Sequence, residues 1–429
     1  MSKSLTKFGD RQAQSAVGTA SVELALPLLA CLEDTQSAFF GLCVTAGKQV
    51  LEAMMEADRT ALCGLAGRHA AGRVVGRAGT TTSRVVLGGR EIALQRLRVR
   101  SAAEGELALP SFTAAAARDP LDCHTLEAIA SGVSMRRYAR SLDPLPPGER
   151  EHGTNRNAVS RRFVALTEAK LGAWFEAPLG GLDLCVVMID GIVFREHCVL
   201  LALGIDFDGN KHALGLREGT TENAAVAKAL LSELIERGLA TDRPLLFVID
   251  GAKALRKAIA GTFGASALVQ RCQVHKLRNV LAHLPERLRP SVAKALHQAW
   301  SASDAKLARR QLERLAASLE TKHPSAAASL REGLDETLTL QRLAIGAALY
   351  RTLRSTNAIE NLNSGVATYT RNVKRWRGGR MILRWVGAAL TEAQRGFRRI
   401  RGHDDLPKLV AALTRHGAET GLQNPAKVA

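Results

Sequence analysis

The sequence predicts an α/β protein: a mixed sheet with an all-helical insertion, preceded by a mainly helical N-terminal region that contains a β-hairpin and a helix-turn-helix. Three observations predict it. Two stretches, "GLDLCVVMIDGIVF" and "PLLFVIDGAKAL", each carry an unbroken apolar, β-favouring run that finishes in Asp-Gly, at Asp190 and Asp250. Between and after them, strand and helix patterns alternate in a fixed order. On either side the pattern turns helical and basic, with 59 Lys+Arg against 41 Asp+Glu and a net charge of +18.

A chain of 429 residues predicts two or three domains, and an apolar fraction of 46% predicts that they fold. The basic balance predicts a polyanionic partner. No run reaches the roughly 20 apolar residues of a membrane span. "ELALPLLACL" (Glu23–Leu32) is too short for one and lacks the flanks of a signal peptide. The seven cysteines are scattered and odd in number, which predicts reduced thiols in a cytoplasm rather than a disulfide framework.

Residues 1–75 read as helical from their Leu, Ala and Glu content and apolar spacing, a region that could serve dimerisation. Residues 76–118 change to alternation. Val85 and Leu87 precede Gly88-Gly89, and Ile92, Leu94, Leu97 and Val99 follow, which is a hairpin signal. Arg96, Arg98 and Arg100 fall at period two, a row that either faces water or contacts phosphate.

Residues 119–178 return to helix. Thr125–Ala130, a Gly-containing turn and Met135–Leu142 have the spacing of a helix-turn-helix, with Ser134 as N-cap and Arg136 and Arg137 on the second helix. A Pro-rich linker leads to another basic helix carrying Arg161 and Arg162. DNA binding is expected here.

Residues 179–284 predict strands at 183–190, 197–205 and 211–217, a capped helix over Thr220–Leu239, a strand at 244–250, a helix at 252–262, a strand in "SALVQRC" and a helix at 275–284. The order βββαβαβ is that of the ribonuclease H fold. Residues 285–345 read as nearly all helical by composition and as an insertion. Residues 346–402 would complete the core, and 403–429 form a C-terminal tail. His197 and His212 read as ordinary strand or turn residues.

A carboxylate at the end of a buried strand is costly, because desolvation raises its pKa and a converging second carboxylate repels it. A divalent cation resolves both costs, since Mg²⁺ prefers hard oxygen ligands. Asp190 and Asp250 would meet if the first and fourth strands are neighbours. A third ligand is offered by Glu360 in "LRSTNAIENLNS". Asn357-x-x-Glu360 is equally a capping box, with Asn357 as N-cap, and the residues alone leave both readings open. Cys272-x-x-His275 lacks a second ligand pair for structural zinc; Cys272 is expected to end a core strand and His275 to start the next helix. From Arg371 to Arg401, ten Lys/Arg stand against one acidic residue, with Trp376 and Trp385 interleaved. That stretch, including Lys374, Arg375 and Arg377, reads as phosphate-tracking or as a solvated helix.

The series "VVMIDGIVFREHCVLLALGIDFDGNKHALGLREGTTEN", "LLFVIDGAKALRKAI", "QRCQVHKLRNVLAHLP", "STNAIENLNS" and "VKRWR" resembles the Mutator-type family of bacterial insertion-sequence transposases. The likeness covers nearly the whole chain and is strongest from about 181 to 400. It implies a DDE enzyme with a ribonuclease H-like core interrupted by helices. The triad falls on Asp190, Asp250 and Glu360, holding two Mg²⁺ ions with Mn²⁺ as a substitute. The family's Cys-x-x-His falls on Cys272 and His275, placing His275 near the scissile phosphate. Ser355 stands where the family usually has Thr. Trp300 is either core or, as in related transposases, a platform for a flipped base. The implied partners are terminal inverted repeats, target DNA and a second copy of the chain, with no membrane and a place at the nucleoid when bound to DNA. The rivals are a structure-selective nuclease or resolvase on the same fold, and a domesticated DNA-binding regulator.

Overall fold

The computed structural model describes residues 35–68, 74–87, 89–117, 122–130, 132–142, 145, 150, 152–219, 223–302 and 304–419. Glu23–Leu32, Gly88, Ser131 and the middle of the Pro-rich linker lie outside the described residues, as does the end of the C-terminal tail. The described residues form two units that divide near Ala130 and Ser160.

In the first unit, a 29-residue helix α1 (Thr35–Cys63) packs Leu51 and Met55 against strands β1 (Val75–Leu87) and β2 (Arg90–Ser101). The strands pair antiparallel, and Leu87↔Arg90 closes the ladder, so the connection is the Gly-Gly pair that the alternation predicts. Gly89 takes a φ of 80°, and a Cβ there would overlap the Tyr138 hydroxyl. A third strand, β3 (Gly105–Leu107), was not anticipated; three residues are too few to show alternation. It changes the reading of the arginine row. Arg96 and Arg98 both pair with Glu106 of β3 at 2.6 Å, and Arg96 also lies over Phe112 at 5.0 Å. Two of the three guanidinium groups are therefore engaged within the protein.

After α2 (Pro110–Ala117) and α3 (Asp122–Ala130), the expected second helix of the helix-turn-helix is not formed. Met135–Arg137 is a turn and Tyr138–Ser141 a single 3₁₀ turn, and Ser134 contributes only its backbone oxygen, to Arg137 N–H at 2.8 Å. Tyr138 is the one buried side chain in Val133–Leu142, with its hydroxyl 2.7 Å from that of Thr125. One anchor in ten residues is too thin an apolar stripe to hold a helix against a core. Arg136 and Arg137 are exposed on this turn. The basic helix that follows is present as α4 (Arg156–Glu176), with Asn155 Oδ1 accepting from Ala158 N–H at 2.9 Å.

The second unit is built on five strands: β4 (Leu184–Phe194), β5 (His197–Asp206), β6 (Lys211–Gly219), β7 (Leu245–Ile249) and β8 (Ala267–Arg271). Their order across the sheet is β6-β5-β4-β7-β8. β4, β5 and β6 are antiparallel, and β7 and β8 run parallel to β4. The strand period of two sends alternate side chains to opposite faces. Val187, Ile189, Phe247 and Ile249 meet α5 (Ala224–Glu236) and α6 (Lys253–Phe263). Val186, Met188, Leu246 and Val248 meet the other face's helices, which come from the far end of the chain. Both faces are covered, which is why the strands read as continuous apolar runs. Asn223 caps α5 through Ala225 and Val226 N–H at 3.0 Å.

α7 (Gln273–Ala282) leads into the insertion, whose helices α8 (Arg289–Trp300), α9 (Ala305–Glu320) and α10 (Pro324–Arg331) enclose their own core. The chain returns through α11 (Thr339–Arg342) and α12 (Ala347–Leu353) to α13 (Asn357–Thr370), α14 (Gly379–Arg395) and α15 (Leu406–Glu419). Among the described residues no helix is long and apolar enough to cross a membrane. The thiols of Cys63, Cys185 and Cys272 are free and buried.

Candidate active site

β4 does not end at Asp190, as its Asp-Gly suggested, but runs on to Phe194 against β5. What ends there is its other neighbour: the β4–β7 ladder closes at Ile189↔Ile249, and the next residue on each strand is the aspartate. Period two places Asp190 on the face of Val186 and Met188, and Asp250 on that of Leu246 and Val248. That face is covered by α13 through Ile359, Leu362 and Val366. Asp250 Oδ1 accepts from Ala252 N–H at 2.8 Å. Gly251 is required by its backbone: its φ is 107°, and a Cβ would overlap the Arg271 guanidinium.

α13 brings two polar side chains to the sheet. Asn363 donates from Nδ2 to Asp190 Oδ2 at 2.7 Å, and its Oδ1 is buried with no partner. Glu360 lies one turn earlier. Burial pushes the Asp190 carboxyl up to about 6, with the charges of Asp250 and Glu360 adding to the rise. The three carboxylates therefore share one electrostatic environment.

The capping-box alternative does not match the helix. Asn357 is the first residue of α13 and Thr356 its N-cap, so Glu360 is the fourth helical residue, one position too late to reach back to the N-cap N–H. The Glu360 carboxylate instead accepts from the Thr356 hydroxyl at 2.6 Å.

Cys272 follows β8 and caps α7, its Sγ accepting from His275 N–H at 3.5 Å, and it is fully buried. Among the described residues, Cys272, His275 and Glu360 bring their ligand atoms within 4.8 Å of one another. An ion bound by all three would sit about 2.0–2.3 Å from each. The Thr356 hydroxyl contacts all three, 2.6 Å from Glu360 Oε1 and 3.4 Å from both Cys272 Sγ and His275 Nδ1. The cluster is organised around a hydroxyl. Burial pushes the Cys272 thiol up, but hydrogen bonds from His275 and Thr356 outweigh it and leave the net shift downward. The contact with Cys272, helped by the charges of Glu360 and Asp250, raises His275 against its burial. His275 Nδ1 lies 3.9 Å from Glu360 Oε1.

Other expected residues are placed elsewhere. Glu218 is on β6 at the edge of the sheet and contacts His197 Nδ1 at 2.5 Å. His212 contacts Asp206 at 2.8 Å. Trp300 is 2% exposed in the insertion core, its indole N–H donating to Thr337 Oγ1 at 3.2 Å. Trp376 packs edge-on against Phe194 at 5.0 Å, while Arg371, Lys374, Arg375 and Arg377 are exposed around it. A pocket of about 530 Å³ is lined by His197, Arg375, Trp376, Arg377 and Gly378. Trp385 packs on Phe163 at 4.6 Å, and Arg380 and Arg384 pair with Glu168. The middle of the basic stretch is thus engaged within the protein, while Arg398, Arg399 and Arg401 at its far end are exposed like the first part. Sequence reasoning missed Asn363 and the role of Thr356, although Asn363 stands three residues after Glu360 and so on the same helix face.

A family model described as "Transposase, Mutator family" matches residues 23–399. The transposase for insertion sequence element IS6120 of Mycolicibacterium smegmatis is 30% identical over 219 residues, 50% of this chain and 66% of the relative. The transposase for insertion sequence element IST2 of Acidithiobacillus ferrooxidans is 31% identical over 177 residues, 41% of this chain and 58% of the relative. The transposase for insertion sequence element IS256 in transposon Tn4001 of Staphylococcus aureus is 28% identical over 281 residues, 62% of this chain and 68% of the relative. The chain thus spans about three fifths to two thirds of the length of the relatives it matches. The family match, running from the N-terminal region through the two aspartates and Glu360 to the basic stretch, makes this chain a member of the Mutator family of transposases.

Proposed function

We propose that this protein is a DNA transposase that binds the terminal inverted repeats of an insertion sequence and catalyses metal-dependent strand cleavage and strand transfer. The observation that carries the proposal is the pair Asp190 and Asp250, one residue past the last rung of a parallel ladder and on the face covered by the helix of Glu360. The strand order, with three antiparallel strands followed by two parallel ones, supports a ribonuclease H-like reading of the core.

The donor set fits a hard divalent cation. Asp190, Asp250 and Glu360 supply only carboxylate oxygens, and the upward shift of Asp190 is the cost that a cation would remove. These three residues would hold two Mg²⁺ ions, or Mn²⁺ in their place. Bound there, the ions supply Lewis-acid stabilisation of the phosphate and activation of a water or a DNA 3′-hydroxyl. The protein's own groups do the rest. Asn363 fixes one oxygen of Asp190 and leaves the other for coordination. His275, raised toward its charged form, would hold a phosphate oxygen beside the site. Arg371, Lys374, Arg375 and Arg377 would follow the DNA backbone, with Arg136, Arg137, Arg161 and Arg162 of the N-terminal half contributing to end recognition. Action on two ends would take a homodimer.

The test is a strand-transfer assay with a pre-cleaved terminal repeat, target DNA and Mg²⁺. Joined product is the expected result. Hydrolysis without joining would favour a nuclease or resolvase, and binding with neither would favour a regulator.

A further inference from the structure

Resting on that reading of Glu360, we propose that Thr356 is a positioning residue for catalysis: its hydroxyl, backed by Cys272 and His275, sets the carboxylate of Glu360 for coordination. The first observation is what this hydroxyl does not do. A threonine at a helix N-cap ordinarily accepts from the N–H of the second or third helical residue. Thr356 is the N-cap of α13 and makes no such bond. Its hydroxyl turns instead to Glu360 Oε1 at 2.6 Å, inside the first turn of the same helix.

The second observation is the setting. Thr356 is fully buried, and Cys272 Sγ and His275 Nδ1 each lie 3.4 Å from its oxygen. A hydroxyl has one proton to give and two lone pairs to fill. At 2.6 Å that proton is best placed toward Glu360, while the longer contacts with Cys272 Sγ and His275 Nδ1 hold the hydroxyl oxygen where it is. The result is a buried hydroxyl held in place on two sides and bonded to one oxygen of Glu360. The other oxygen is left for a cation. Such outer partners orient a ligating carboxylate and tune its basicity. The arrangement also accounts for the spacing of Cys272 and His275: as N-cap and third residue of α7, they reach one hydroxyl from a neighbouring helix.

The test compares Thr356→Val, which keeps shape and loses the hydroxyl, with Thr356→Ser, which keeps the hydroxyl. The readouts are Mn²⁺-dependent thermal stabilisation of the full-length protein without DNA, and the Mn²⁺ concentration that half-saturates cleavage of terminal-repeat DNA. Thr356→Val should shift both midpoints upward by about ten-fold or more, with Thr356→Ser within about three-fold of wild type. If Thr356→Val does not fold, Thr356→Ala against Thr356→Ser makes the same comparison. Wild-type midpoints without the hydroxyl, or a serine variant as impaired as valine, would overturn the proposal. Glu360→Gln is the control for the underlying reading: if it keeps wild-type Mn²⁺ stabilisation and cleavage, Glu360 is not a ligand, and that failure is seen whatever Thr356 does.

Discussion

Asp190 shows how one residue couples fold to function. Its carboxyl, raised to about 6 by burial and by the neighbouring charges of Asp250 and Glu360, is ionised at neutral pH at the expense of stability. The folded pKa lies above the unfolded one. Its contribution is therefore complete below about pH 4 and is lost as pH rises through about 6. In chelator, wild type should melt at lower temperature at pH 8 than at pH 5, and Asp190→Asn should recover up to about 3 kcal/mol at pH 8 but little at pH 4.5. Calorimetry at the two pH values checks this; an Asn variant no more stable at pH 8 would show that Asp190 bears no electrostatic strain. The two aspartates were legible in the sequence because an apolar run ending in a carboxylate is a costly pattern that needs a cause. Thr356 was not, because the sequence offers Asn357 beside it as an equally good cap and does not show which of the two begins the helix.

At the scale of elements, the strands were read well and the N-terminal helices less so. A strand buried on both faces announces itself, and the five strands and the helices between them follow the chain order the pattern predicts. The end of β4 was misplaced because Asp-Gly marks the end of its neighbour, not its own. The second helix of the helix-turn-helix failed because charge and spacing imitated a helix that lacks an apolar face. Trp300 was ambiguous in sequence, as tryptophan serves both cores and bases; packing decides it. Trp300→Ala should destabilise the insertion by about 3–5 kcal/mol. Below the melting transition it should leave affinity for terminal-repeat DNA within about two-fold of wild type, by gel shift. A selective loss of DNA affinity in a normally stable variant would contradict the core assignment.

For the whole molecule, the net charge of +18 sets the terms on which it meets DNA. Association should weaken linearly in log–log terms with salt, with a slope near −0.9 for each phosphate neutralised. Removing Lys374, Arg375 and Arg377 together should reduce the slope by about three if each meets one phosphate. An unchanged slope would move the DNA path off this surface. Binding and chemistry are then separable, since cationic groups supply affinity and carboxylates supply the metal site. The most direct measurement compares wild type with Asp250→Asn on terminal-repeat DNA in Mg²⁺, scoring end binding by gel shift and cleavage and joining by strand analysis. The mutant should bind within about three-fold of wild type and give no cleaved or joined product, because lost transition-state stabilisation does not weaken remote phosphate contacts. Cleavage by Asp250→Asn at the wild-type rate would contradict the assignment of the active site.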